Sequence, residues 1–284
     1  MTSQHNSRRK LVKTLGAGII ISPLFGLIGC GGSGTESATN SNSSTDNSSD
    51  NTAVTGNSTT WASGGTAAMT ENFPDDSLFT TATACTVALT GTQTEGPCYF
   101  AVDGEDDISE GQTGLPMMLC LRLIDSQCNP LAGLEIEVWH CDVEGIYSGD
   151  TSDSRDSDRF SSGFCTGNDN EALQAKWFRG TQITDNNGRV NFKSCFPGWY
   201  SSRSIHIHFR IRNNNNDQLI SQFCFTDAFC DEICTTHPDY LNRGTQDTPL
   251  SRDTVFGNDY AEYQFDTQQN ADGSLLAWKT IQIS

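Results

Sequence analysis

Short apolar runs that alternate with polar residues, Gly/Asn turn signals between them, and a near absence of helical periodicity predict an all-β fold. The expected architecture is an antiparallel β-sandwich with long loops and at most short helices. Residues 117–124, "MMLCLRLI", are the first apolar run. Leu134, Ile136 and Val138 alternate with Glu135 and Glu137, which gives one apolar and one acidic face. "TDNNGRVNF" (184–192) is a turn followed by renewed alternation, with Gly188 able to take positive φ. Residues 205–211 alternate strictly, "NNNND" (213–217) is a second turn, and residues 219–225 follow as its partner strand. Residues 275–283 read as a last strand, residues 226–235 as a short helix, and the polar stretch 148–171 as loop.

The chain begins differently. "SRRKLVK" (7–13) precedes an apolar run that ends in "LIGC" (27–30), the order of a secretion signal. The paired Arg8 and Arg9 resemble a twin-arginine signal, and Leu-Ile-Gly-Cys resembles a bacterial lipobox. Residues 1–29 are therefore expected to be a signal peptide, and Cys30 a lipidated residue that holds the exported protein at a membrane. Residues 30–72 read as a flexible tether, because a stretch rich in Ser, Thr, Asn and Gly buries too little surface to order itself. Residues 73–284 then suffice for one domain.

The net charge is −18. Removing residues 1–29 takes away four basic residues and no acidic one, which leaves −22. This argues against nucleic acid or an anionic membrane surface as a partner. Ten cysteines remain besides Cys30, an even number, which in an exported chain predicts cross-linking without giving the pairs. None has a C-x-x-C spacing that points to zinc.

The chain has 5 histidines and sets two of them, His206 and His208, on one face of "SIHIHFRI" (204–211). Residues i and i+2 of a strand share a side, so the two imidazoles project together while Ile205, Ile207, Phe209 and Ile211 face the core. A side-by-side imidazole pair is a natural metal ligand set. Tyr200 lies just upstream, after the turn-like "PGW". A phenol is normally neutral, but beside a trivalent cation it becomes a hard anionic oxygen ligand. His, His and Tyr together suit iron(III) better than zinc or calcium. A fourth candidate is Tyr147, which ends the alternating strand "LEIEVWHCDVEGIY" (134–147).

In these residues the chain resembles the intradiol ring-cleavage dioxygenases, the family of catechol 1,2-dioxygenase and protocatechuate 3,4-dioxygenase. The resemblance rests on G-x-Y at 145–147, P-x-x-Y at 197–200, Arg203, and H-x-H at 206–208. "TEGPCYF" (94–100), "FRGTQITDNNGRVNF" (178–192) and "LISQ" (219–222) agree with it. It covers most of residues 85–230 and departs from the family at Cys98, where a Tyr is common, and in the density of cysteines. The N-terminal helical dimerisation region of the catechol dioxygenases is not legible, and the sequence gives no oligomeric state.

The resemblance implies that Tyr147, Tyr200, His206 and His208 hold a non-haem Fe(3+). It also implies that a catechol and O2 are the substrates and a muconate-type diacid the product. Tyr200 is then both ligand and proton acceptor, since the P-x-x-Y tyrosine leaves the metal when catechol binds. Arg203 and Gln222 are expected beside the reacting ring. Trp139, Ile146 and Trp199 are candidates for either pocket wall or core, and His140 reads as structural. A different class stays open at this point: an exported β-sandwich that binds an aromatic or sugar ligand without redox chemistry.

Overall fold

The structure, a computed structural model, describes residues 60–79, 89–104, 106–151 and 165–284. The expected signal peptide, Cys30, Cys85 and most of the expected tether lie outside the described residues.

Two four-stranded sheets pack face to face. The strands are β1 (Pro116–Ile124), β2 (Glu135–Trp139), β3 (Arg179–Ile183), β4 (Arg189–Cys195), β5 (His206–Asn213), β6 (Asn216–Cys224), β7 (Asp266–Gln269) and β8 (Leu275–Gln282). The first sheet has the order β4-β1-β8-β7 and the second β3-β2-β5-β6. One α-helix, α1 (Asp227–Thr236), follows β6. The all-β sandwich is as expected, with one exception to antiparallel pairing: β1 and β8 run parallel, Met117 opposite Leu275.

The core lies between the sheets. Leu119, Leu121 and Leu123 from β1 meet Ile136 and Val138 from β2, and Ile207, Phe209 and Ile211 from β5. The alternation of β5 thus buries its isoleucines and sends its histidines to the outer face of the second sheet. The β5–β6 hairpin closes through Asn214 and Asn215, both at positive φ (48° and 64°), which is what a two-residue primed turn demands and asparagine tolerates. Helix α1 is capped by Thr226, whose side chain accepts from Phe229 N at 3.3 Å. Its buried Cys230, Ile233 and Cys234 fall at i, i+3 and i+4 on the core side.

Two expectations need correction. The folded part begins before residue 73. Trp61 packs on the core and donates to Glu232 Oε1 at 2.8 Å, Ala62 N donates to the Gly273 carbonyl at 2.9 Å, and Met69 joins the cluster around Met118 and Leu276. The Gly, Ser and Thr around Trp61 disguised an anchored segment as tether. The expected cross-linking is also only partly met. Cys98 bonds to Cys165, but Cys120, Cys141, Cys195, Cys224, Cys230 and Cys234 are buried thiols. They fill core sites as small apolar groups, and burial pushes the Cys120 and Cys195 thiols up to about 12.

Candidate metal centre

Strand register sets the site. Across the outer face of the second sheet, Arg179, Trp139, His208 and Gln222 stand in one row on β3, β2, β5 and β6. His206 is one step along β5 on the same face. Tyr147 arrives from the turn after β2 and Tyr200 from the loop before β5. These two turns touch backbone to backbone, since a Cβ on Gly145 (φ +83°) would lie 2.0 Å from the Trp199 carbonyl oxygen. The glycine of G-x-Y is thus a steric necessity.

The two phenol oxygens and two imidazole nitrogens converge. Tyr200 Oη lies 2.9 Å from His206 Nε2, His206 Nε2 lies 3.1 Å from His208 Nε2, and His208 Nε2 lies 2.9 Å from Tyr147 Oη. All four side chains are buried, none more than 4% exposed. Burial drives His206 down to about 3, helped by Arg203, and His208 well below its usual value, so both imidazoles are neutral and offer lone pairs. Burial likewise raises Tyr147 well above the usual phenol range and Tyr200 to about 12, against the pull of Arg203. Such phenols ionise only beside a strong cation. Two neutral imidazoles and two potential phenolates therefore fit a hard trivalent ion, and would not fit a soft one.

The two imidazoles are oriented by different means. His206 Nδ1–H donates to the Ser204 carbonyl at 2.6 Å, which leaves Nε2 as the lone-pair nitrogen at the centre. His208 is sandwiched instead. Trp139 stacks on one side at 5.0 Å with an 8° interplanar angle, and Gly96 (φ +82°) lies on the other, where a Cβ would come within 2.1 Å of His208 Cε1.

Arg203 and Gln222 stand beside the four. Arg203 Nη1 is 3.4 Å from both Tyr200 Oη and His206 Nε2, and Nη2 donates to Gln222 Oε1 at 2.6 Å. Gln222 Nε2 donates in turn to the Thr94 carbonyl at 2.8 Å. Arg203 Nε donates to Asp253 Oδ2 at 2.9 Å. Burial opposes charge on Asp253, but Arg203 and the backbone N–H groups of Ser204 and Val255 outweigh it and hold the carboxyl below the usual carboxylate range.

The segment carrying Gly96 is fastened down over the sheet. Glu95 pairs with Arg210, whose guanidinium lies 3.9 Å over the Tyr99 ring. Tyr99 Oη donates to Glu137 Oε2 at 2.8 Å, and Cys98 is bonded to Cys165. Arg179 holds the residue after Tyr147, with Nε donating to Ser148 Oγ at 2.6 Å.

All six residues singled out for the site, Tyr147, Tyr200, Arg203, His206, His208 and Gln222, are thus brought together. Trp139 backs His208. Trp199 turns away, packs on the core and donates its indole N–H to the Gly244 carbonyl at 2.9 Å. His140 is structural, as expected: buried, 2.8 Å from Ser194 Oγ. Asp253 and Thr94 were not singled out. Thr94 begins the recognised "TEGP" stretch, whereas Asp253 carries no local signal among the 35 acidic residues of the chain.

Comparison with known proteins identifies the family. A model of the dioxygenase family matches residues 95–270. An intradiol ring-cleavage dioxygenase from Tetranychus urticae is similar in structure, with a TM-score of 0.61 and 28% identity over 69% of this chain and 95% of that one. Chlorocatechol 1,2-dioxygenase from Pseudomonas putida is 23% identical over 113 residues, 34% of this chain and 36% of that protein. The chain thus spans about a third of the length of that curated relative. Taken with the fold, the match over residues 95–270 shows that the chain belongs to the intradiol ring-cleaving dioxygenase family.

Proposed function

We propose that this protein is an iron(III)-dependent intradiol dioxygenase that opens catechol-type rings with O2 to muconate-type diacids, both oxygen atoms being retained in the product. The observation that carries this reading is the convergence of Tyr200 Oη, His206 Nε2, His208 Nε2 and Tyr147 Oη, each 2.9–3.1 Å from the next. Bound there, ferric iron would serve as template and Lewis acid for the two oxygens of a catechol.

The chain's own residues divide the remaining work. Tyr200 is the base: once displaced from the metal, its phenolate would return to a buried site that favours the neutral phenol, and would take a catechol proton. Tyr147, His206 and His208 would hold the ion throughout. Arg203 presents a fixed cation to the side of the ring where negative charge grows, and Gln222 fixes the guanidinium from one edge. Trp139 and Gly96 keep His208 from swinging. The same reading takes the protein as exported and held at a membrane through lipid on Cys30, on the strength of the Arg8-Arg9 and Leu-Ile-Gly-Cys motifs.

Iron-loaded protein should be red to burgundy from tyrosinate–iron(III) absorption, and should take up O2 with catechol, protocatechuate or hydroxyquinol. Colourless protein of full iron content, with no O2 uptake on any of the three, would instead make this a binding module.

A further inference from the structure

The segment downstream of α1 grips the loop that carries Tyr200 and Arg203 along its length. Trp199 and Ile205 are held by Gly244 and Gln246, with Ile205 N donating to Gln246 Oε1 at 2.8 Å. Asp247 accepts from Ser201 Oγ at 3.0 Å and Ser202 N at 3.2 Å. The segment is itself tied to the first turn of α1, where Asp227 Oδ1 accepts from Gln246 Nε2 at 2.7 Å and Leu250 N at 3.1 Å.

Asp253 is the innermost of these contacts. Its Oδ2 accepts from Arg203 Nε, Ser204 N and Ser204 Oγ, each at 2.9 Å, and its Oδ1 accepts from Val255 N at 2.9 Å. The carboxylate side chain is 0% exposed. Phe256, three residues on, lies 5.6 Å below the Arg203 guanidinium and 6.3 Å from the His206 ring. The three edges of the guanidinium are therefore assigned. Nε faces Asp253, Nη2 faces Gln222, and Nη1 is left at 3.4 Å from Tyr200 Oη and His206 Nε2.

We propose that Asp253 is a positioning residue for the ring-opening reaction, one that sets the guanidinium of Arg203 against Tyr200 and His206 and acts only through it. An arginine on a flexible stem has many rotamers, and a cation that must reorganise during reaction loses most of its worth. A buried ion pair adds little to stability compared with an apolar pair of the same volume, so its presence here points to orientation. One oxygen of Asp253 binds both the guanidinium and the backbone of the next residue. Arg203 and the start of β5 are thereby held as a single unit, and β5 carries both histidines. The inference rests on the proposed ring-cleaving function.

The test compares iron-loaded wild type, Asp253→Asn, Arg203→Gln and the double variant. Asp253→Asn should keep its iron and a cooperative folding transition, with a lowered thermal midpoint from the buried guanidinium left unpaired, and lower kcat about 10–100-fold, as displacement of a reacting group by about 1 Å does, with KM within about threefold. Added to Arg203→Gln, it should cost less than about twofold more, because residues that act as a unit are not additive. The tyrosinate band of resting protein should shift in Asp253→Asn and Arg203→Gln alike, since Arg203 borders Tyr200. Multiplying losses in the double variant would overturn the proposal, as would native kcat with an unshifted band. Loss of the folding transition in Asp253→Asn would assign the residue to folding and overturn it too. Wild type that opens no catechol would sink the proposed function, whereas the band shifts are read without turnover and decide the positioning role separately.

Discussion

His208 has no hydrogen bond at Nδ1 among the described residues and depends on the Trp139–Gly96 sandwich, while His206 has the Ser204 carbonyl. The cheapest way to disturb the centre without removing a ligand is therefore Gly96→Ala. The new methyl cannot coexist with the ring at 2.1 Å, and the positive φ adds strain. Iron affinity should fall about 10–100-fold, the usual cost of losing a residue that orients a ligand, as measured by metal content after dialysis against a chelator. Tyr147→Phe or His208→Ala should abolish iron retention or activity outright. Near-normal iron together with full activity in both would remove the ligand assignment. Most of these residues were legible because strand period and turn chemistry tie them to short motifs: G-x-Y, P-x-x-Y, H-x-H. Asp253 was not, because it meets Arg203 across 50 residues of chain and no local pattern marks an acid that matters only in three dimensions.

At the scale of elements, β2 leads into a link between the sheets. His140 follows it directly, is fully buried and reaches Ser194 on β4. Burial holds it down at about 4 from an ordinary 6.5, so the folded protein refuses a proton that the unfolded chain accepts. The contribution is complete above pH 6.5 and is lost as pH falls toward 4, up to about 3 kcal/mol by linkage. Denaturant titrations of iron-loaded protein from pH 7 to 4 should show this decline, and His140→Asn should flatten it; an equal slope in both would discharge His140. Thr226→Ala should cost about 1 kcal/mol through loss of the α1 cap. Strands β1, β2, β4, β5, β6 and β8 were legible from apolar runs, alternation and turn signals, and α1 as a short helical stretch. Strand β7, "DTQQ", was not: it is a short, largely exposed edge strand with no apolar face to leave a period.

For the molecule as a whole, charge and tethering make the predictions. The expected mature charge of −22 repels a second anionic group on an approaching ring, although salt screens this beyond about 10 Å. Within the site, Arg203 is already engaged by Asp253 and Gln222. Neutral catechols should therefore give the higher kcat/KM, and a clear preference for protocatechuate at both low and moderate ionic strength would show a local cation overriding the field. Cys30→Ser should move the protein to the soluble fraction with its activity intact; a variant that stays with the membrane after signal cleavage would refute the lipid anchor. The ordered segment before residue 73 is not legible in the sequence because one anchoring tryptophan, Trp61, is too sparse a signal to stand out from polar surroundings.

The parallel pairing of β1 with β8 has a bearing on biosynthesis. β8 follows every other strand of the sandwich in chain order, yet it lies in the interior of its sheet, with β1 on one side and β7 on the other. Until residues 275–282 have left the ribosome, β1 and β4 have no neighbour on that side and β7 has nothing to pair with. The sandwich therefore cannot close before β8 is available, and loop closure over more than a hundred residues makes that closure slow. Under the proposed twin-arginine export, which carries a finished fold, the chain would have to wait for β8 to pair. A nonsense codon between Asp253 and Leu275 would leave an unclosed sheet, with the site residues all translated and nothing to hold them.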